Sequence, residues 1–241
     1  MCFTIEVHLT RKAIENRFRV DTSRLSDFDF NYFYKAFSNP LIPVITQQDP
    51  GRATLMQWGL IPGWSFDRKK AEQIRKGTYN ARAETVHEKP AFRKAFQQGR
   101  CLVIAHGFFE WQHRQGDKIP WFIRLKNDRP FVFAGLFDSW TDRETGEIVD
   151  TFSIITTRAN PLMEVIHNSR KRMPVILPES AEREWIEDKI SPGKADQLLL
   201  PFDEKKLHAH TVSPEISSTR VDPADPKLVE PYPHPAPGKL F

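Results

Sequence analysis

The sequence predicts an α+β fold, in which a central barrel-like antiparallel or mixed sheet carries flanking helices and the chain ends in an extended proline-rich tail. Three observations lead there. Short apolar or alternating runs crowd the middle of the chain, and helical patterns interrupt them without the regular strand-helix rhythm of a parallel sheet. A sheet of so many short strands avoids exposed edges by closing on itself. With 241 residues, 39% hydrophobic and 12% aromatic, the chain has apolar surface for a sizeable core and too much for a disordered state. One domain over 1–232 and a mobile tail over 233–241 account for the chain.

Thr10 reads as the N-cap of a short helix over 10–18. LIPVIT (41–46) and TLMQWGL (54–60) read as strands around a turn at Asp49-Pro50-Gly51. Helical patterns follow over 67–76 and 90–98. Next come five β-prone runs: RCLVIAH (100–106), FFEWQH (108–113), PWFIRLK (120–126), RPFVFAGLF (129–137) and TFSIITT (151–157). Gly116-Asp117, Asn127-Asp128 and the stretch 142–146 supply turns between them. Helices over 160–166 and 180–189 flank the apolar run MPVIL. The last 29 residues hold seven of the 19 prolines and cannot form an interior strand or helix.

No run nears the roughly 18 uncharged apolar residues of a membrane span, and the start lacks a basic-then-apolar signal layout. A soluble cytoplasmic protein with no membrane role is expected. Cys2 and Cys101 are too few and too isolated for a disulfide framework or a zinc cluster, and Cys101, in mid-strand, reads as a buried thiol. GxGxxG, GxxxxGK[ST] and HExxH are all missing, so no metal or organic cofactor is expected. The net charge is only +4, yet ten Lys/Arg stand against three Glu between Arg68 and Arg100, and Arg170-Lys171-Arg172 follows His167. Such runs fit either a solvated face or a phosphate-binding surface.

Cys2 is the most unusual position. Loss of Met1 leaves an α-amine and a thiol on adjacent carbons, titrating near about 7.7–8.0 and 8.5, so both are partly nucleophilic at neutral pH. An aldehyde meeting this pair forms a Schiff base and then a five-membered thiazolidine. In YNARAET, Asn80, Arg82 and Glu84 share a face if the segment is extended, offering amide donors and a guanidinium fork. Glu110 sits in the aromatic run HGFFEW, where desolvation would raise its pKa toward general acid-base use. His167 lies between a helical stretch and MPVIL. Trp58 and Trp64, in WGLIPGW, are candidates to stack on exposed bases. Each residue also has an ordinary structural reading, as a packed, paired or solvated side chain.

Taken in order, Met-Cys at the start, WGLIPGW, NARAET, GFFEW, TTRAN and a histidine followed after five residues by MPVIL resemble the SOS response-associated peptidase family, the abasic-site-processing proteins, over roughly residues 1–232. The resemblance implies a barrel-like α+β fold and a thiazolidine crosslink between Cys2, freed of Met1, and the ring-opened aldehyde of an abasic site in single-stranded DNA. It also implies that Asn80 positions Cys2, Glu110 shuttles protons, His167 aids sugar ring opening, and Arg82 binds the lesion phosphate. Trp58, Trp64, Lys35 and Arg172 become further strand contacts, Met1 removal becomes a self-directed peptidase step, and replication-fork proteins and the nucleoid become the surroundings. The chain departs from the family pattern at Phe3 and Thr4, where relatives often carry Gly-Arg, and at Lys35, where asparagine is frequent. Two rival functions remain: a non-covalent single-stranded nucleic-acid-binding module and a cysteine peptidase acting in trans.

Overall fold

Local chemistry starts most of the helices. Thr10 accepts a hydrogen bond from the Ala13 N–H, Asp67 from Lys70 and Asn160 from Met163, each satisfying a donor that the first helical turn leaves open. The computed structural model describes residues 2–188, 190–218 and 220–234. Its elements in chain order are β1 (Thr4–Glu6), α1 (Arg11–Phe18), β2 (Tyr34–Lys35), β3 (Leu41–Thr46), β4 (Ala53–Trp58), α2 (Arg68–Arg75), β5 (Asn80–Arg82), α3 (Arg93–Gln98), β6 (Arg100–Ala105), β7 (Gly107–Arg114), β8 (Asp117–Leu125), β9 (Phe131–Thr141), β10 (Ile148–Arg158), α4 (Pro161–Ile166), β11 (Arg172–Pro174), α5 (Glu179–Trp185), α6 (Pro192–Leu198) and β12 (Leu207–Thr211).

Strands β4, β3, β6, β9 and β10 pair in sequence and β10 returns to β4, so five strands close a barrel. The β10–β4 contact is parallel and the others antiparallel, which makes the barrel mixed. The far half of β10 reaches beyond the ring to pair with β5 in parallel and β11 antiparallel. A second, antiparallel sheet runs β12-β8-β7-β1-β2. The α+β expectation holds, and closure removes the edges that five short strands would otherwise expose.

Period-two alternation sorts the barrel side chains into two cores. Cys101 and Val103 of β6 and Phe131 and Phe133 of β9 join Ile5, Phe108 and Ile123 of the second sheet. Leu102, Ile104, Val132 and Ala134 instead pack against Ile14 of α1, Phe96 of α3 and Trp185 of α5. Gly135 is required where β9 meets β6: a Cβ there would lie 2.7 Å from Val103 Cγ2 and 2.8 Å from the Cys101 sulfur.

Several expectations need correction. The strands β1 and β12 and the helix α6 had no strong local pattern, and α5 stops at Trp185 rather than reaching 189. The proline-rich end is not a free extended tail through residue 232. Short 3-10 turns at Pro214–Ser217 and Pro226–Val229 bury Ile216 and Leu228 against Phe33, Phe109 and Phe122, because proline at the start of such a turn sacrifices no needed donor. His234 still holds the Val212 carbonyl, and the rest of the expected mobile tail, 235–241, lies outside the described residues. Among the described residues, no helix is long and apolar enough to cross a membrane. The basic run is also thinner at the surface than its composition suggests, since Arg75 and Arg100 are buried. Arg100 donates to the carbonyls of Phe96, Gln97, Trp185 and Glu187, tying the ends of α3 and α5 to the barrel.

The short strand β1 has its own clamp: His106 Nδ1 lies 2.9 Å from Oε2 of buried Glu6, and Nε2 faces Asp128. Burial opposes the charged imidazole, but the Glu6 hydrogen bond and charge, with Asp128 added, raise the His106 pKa above its ordinary 6.5. The folded state therefore gains stability from this pair below pH 6.5 and loses it as pH rises through the raised folded value. Urea midpoints between pH 5.5 and 8.5 are expected to fall more steeply with pH in the native chain than in His106→Gln. Arg100→Met is expected to cost ~3 kcal/mol in urea unfolding with an unchanged slope, because helix-end carbonyls lose a charged donor in the core.

Candidate functional site

Four separated segments converge on Cys2. Strand β1 is held on both sides, Thr4 opposite Lys35 of β2 and Ile5 opposite Phe108 of β7, and this pairing carries the preceding Cys2 into the core with no exposed surface. Its sulfur lies 3.9 Å from the Thr4 carbonyl. Asn80 opens β5, where pairing with Ile154 of β10 aims its amide inward, and its Nδ2 donates to the Cys2 carbonyl at 2.8 Å. The Asn80 Oδ1 has no hydrogen-bond partner among the described residues.

Glu110 lies two residues beyond Phe108 on β7, so strand alternation turns it toward the core rather than to water. Burial pushes its carboxyl pKa up to about 7, as the aromatic run predicts. His167 follows α4, its ring within the core and its Nε2 3.9 Å from Glu110 Oε2. The ring's Nδ1 lies 2.8 Å from the Arg172 carbonyl, which only accepts, so Nδ1 carries the hydrogen and Nε2 presents its lone pair toward Glu110. Burial pushes the His167 pKa down to about 4, so the imidazole is neutral at pH 7. For Cys2, burial and then the Glu110 charge drive the thiol pKa well up. The expectation of a partly ionised Cys2 thiol is therefore corrected: inside this core the sulfur keeps its proton until a neighbouring base takes it. Cys101 is buried and its thiol is pushed up by burial alone.

The outlying candidates divide. Trp58 is completely buried, with its indole N–H on the Tyr79 carbonyl and its ring stacked 5.9 Å from Phe152, so it belongs to the core and has no face for a base. Arg172 is also corrected: its terminal nitrogens hold the Glu84 carboxylate and the Thr156 carbonyl and hydroxyl, so it is a buried strut rather than a solvent-facing phosphate contact. Trp64 is 52% exposed, and Arg82 is exposed beside Glu84 at 3.7 Å. Lys35 extends over the Phe33 ring toward the Ser218 carbonyl.

Sequence reasoning missed Asn168. Its side-chain amide mimics a peptide, Oδ1 accepting from His113 N–H at 3.0 Å and Nδ2 donating to the His113 carbonyl at 2.8 Å. Gln112 adds a bond to the Val165 carbonyl, so the turn bearing His167 is sewn to the strand bearing Glu110. Nothing local marks this, because Asn168 reads as one polar residue in a basic loop.

The profile of the SOS response associated peptidase (SRAP) family matches residues 1–219. "Abasic site processing protein YoqW" of Bacillus subtilis (strain 168) is 39% identical over 195 residues, covering 80% of this chain and 83% of its own length. "Abasic site processing protein HMCES" of Xenopus tropicalis is 32% identical over 184 residues, covering 68% of this chain and 53% of that longer protein. A crystal structure of a protein from Bacteroides thetaiotaomicron superposes with a TM-score of 0.91 at 36% identity, over 96% of this chain and 100% of the other. By sequence over most of its length and by fold, this chain belongs to the SOS response associated peptidase family.

Proposed function

We propose that the chain recognises abasic sites in single-stranded DNA and joins them covalently through Cys2 once Met1 has been removed. The observation that carries this reading is the meeting of Cys2, Asn80, Glu110 and His167 from four parts of the chain. The names of relatives such as YoqW and HMCES support abasic sites as the target. Hydrolysis of the Met1–Cys2 peptide bond, performed by the same cluster, frees the amine.

The amine nitrogen then adds to the aldehyde carbon of the ring-opened sugar. Glu110, with a pKa near 7, donates a proton to the departing hydroxyl, and water leaves as the imine forms. The Cys2 sulfur adds to the imine carbon, and its proton passes through the Glu110 carboxylate to the ring nitrogen, closing a thiazolidine with atoms and charge balanced. Asn80 holds the Cys2 backbone throughout. As the sugar opens, the Nε2 lone pair of neutral His167 takes the proton of the C1′ hydroxyl, the C1′–O4′ bond breaks to leave the aldehyde, and the same proton is returned to O4′, while Arg82 meets the phosphate. Crosslinking of this kind shields the lesion from strand cleavage.

Intact-mass spectrometry before and after incubation with a single strand carrying one abasic site tests the reading. The expected result is loss of Met1 followed by a DNA-sized increase that survives denaturation, and Cys2→Ser is expected to leave no stable adduct. A processed chain that binds strands with steep salt dependence and no covalent product would instead support a binding module. Crosslinking is expected to peak between the carboxyl pKa of about 7 and the α-amine near about 7.7–8.0, since the reaction needs the acid protonated and the amine free. In Glu110→Gln the falling alkaline limb disappears and the rate drops about 10²-fold or more.

A further inference from the structure

His167 and Glu110 belong to different parts of the fold, so the distance between them needs its own support. The histidine closes α4, which Asn160 starts by accepting from the Met163 N–H and anchors by donating to the Phe202 carbonyl. Its ring is set by the Arg172 carbonyl at the start of β11, which pairs with β10. Glu110 instead rides on β7 of the second sheet, between β8 and β1. Met163 and Ile166 share a core with Cys2 and Phe108, but apolar contact is non-directional and tolerates a slide. Hydrogen bonds do not. Strand β1 covers one edge of β7 at Gly107 and Phe108, and farther along β7 the Asn168 amide meets His113 as a neighbouring strand would, accepting at 3.0 Å and donating at 2.8 Å. Two bonds from one planar amide fix both its position and its tilt. Asn168 directly follows His167, and His113 lies three residues beyond Glu110, so the bracket ties the turn of the base to the strand of the acid.

Resting on the abasic-site reading, we propose that Asn168 is a positioning residue for sugar ring opening, its amide holding His167 Nε2 in register with the Glu110 carboxyl 3.9 Å away. Both groups serve the same carbon. His167 takes the proton of the C1′ hydroxyl before the amine adds, and Glu110 protonates the hydroxyl that leaves C1′ afterwards, so a sugar held in one place needs both within reach. Asn168 acts through His167. The bonds of its bracket lie at the surface, where water competes for them, so they supply geometry more than folding stability.

The test is single-turnover crosslinking of the full chain at saturating DNA to two single strands. One carries a natural abasic site, whose sugar is mostly a closed ring, and in the other an acyclic linker bearing a free aldehyde replaces the sugar and has no ring to open. Asn168→Ala is expected to slow the natural site about tenfold or more and to leave the acyclic strand within about twofold, since a misplacement of about 1 Å costs up to about 10²-fold. His167→Ala is expected to show the same split, and adding Asn168→Ala to it to cost nothing further, because both act on one step. Should Asn168→Ala fail to fold, as read by its urea midpoint, Asn168→Asp takes its place: it still accepts from the His113 N–H, loses the bond to the carbonyl, and is expected to slow the natural site alone by a smaller factor. Equal slowing on both strands, an unchanged rate on the natural site, or a further multiplicative loss in the double variant overturns the positioning role while leaving the abasic-site reading intact. Absence of adduct between the native chain and the natural site overturns that reading and this proposal together.

Discussion

The site depends on one constraint: a three-residue strand near the start of the chain must be held in place. Ordering residues so close to a terminus costs about 1–2 kcal/mol each in backbone entropy, and β1 has few ladder bonds to offset it. It is held instead by several independent attachments. Strands β7 and β2 flank it, Glu6 reaches back to His106 at the start of β7, and Asn80 grips the Cys2 carbonyl from the barrel side. The last of these joins the two sheets, because Asn80 is positioned by β10 and Cys2 by β7.

Burial then determines the chemistry. The same loss of water that lifts Glu110 to about 7 lowers His167 to about 4, so a carboxyl and an imidazole that would form an ion pair in water meet here near neutrality. A proton can move between nearby groups without leaving a fixed buried charge behind. The two cysteines show that burial alone is not enough. Both thiols are fully buried and pushed toward the protonated form, but only Cys2 is also affected by the Glu110 charge, whereas Cys101 packs beneath Gly135 in the apolar core.

Much of this was legible from residue patterns. The strands 41–46, 100–105 and 107–114 and the capped helices at 11–18, 68–75 and 161–166 follow alternation and N-cap residues closely. Strand β12, LHAHT, carries little apolar signal and exists because its backbone completes β8. Basic residues were the least legible. Arg75, Arg100 and Arg172 look like surface cations in one dimension, yet Arg100 ties helix ends to the barrel and Arg172 anchors Glu84 while its carbonyl orients His167. A tryptophan is equally ambiguous: Trp58 and Trp64 sit six residues apart in one motif, one sealed in the core and the other half exposed at the surface.

The sequence by itself determined the α+β class, the capped helices, most of the barrel strands and the residue types at the site, because caps, turns and period-two patterning act over a few residues. The tertiary structure decided the closed ring through the β10–β4 contact, the folding of the proline-rich end onto the second sheet, and the peptide-like bracket of Asn168. It also decided the protonation states of Cys2, Glu110 and His167. Those depend on which distant segments exclude water from a group, and no local spacing encodes that.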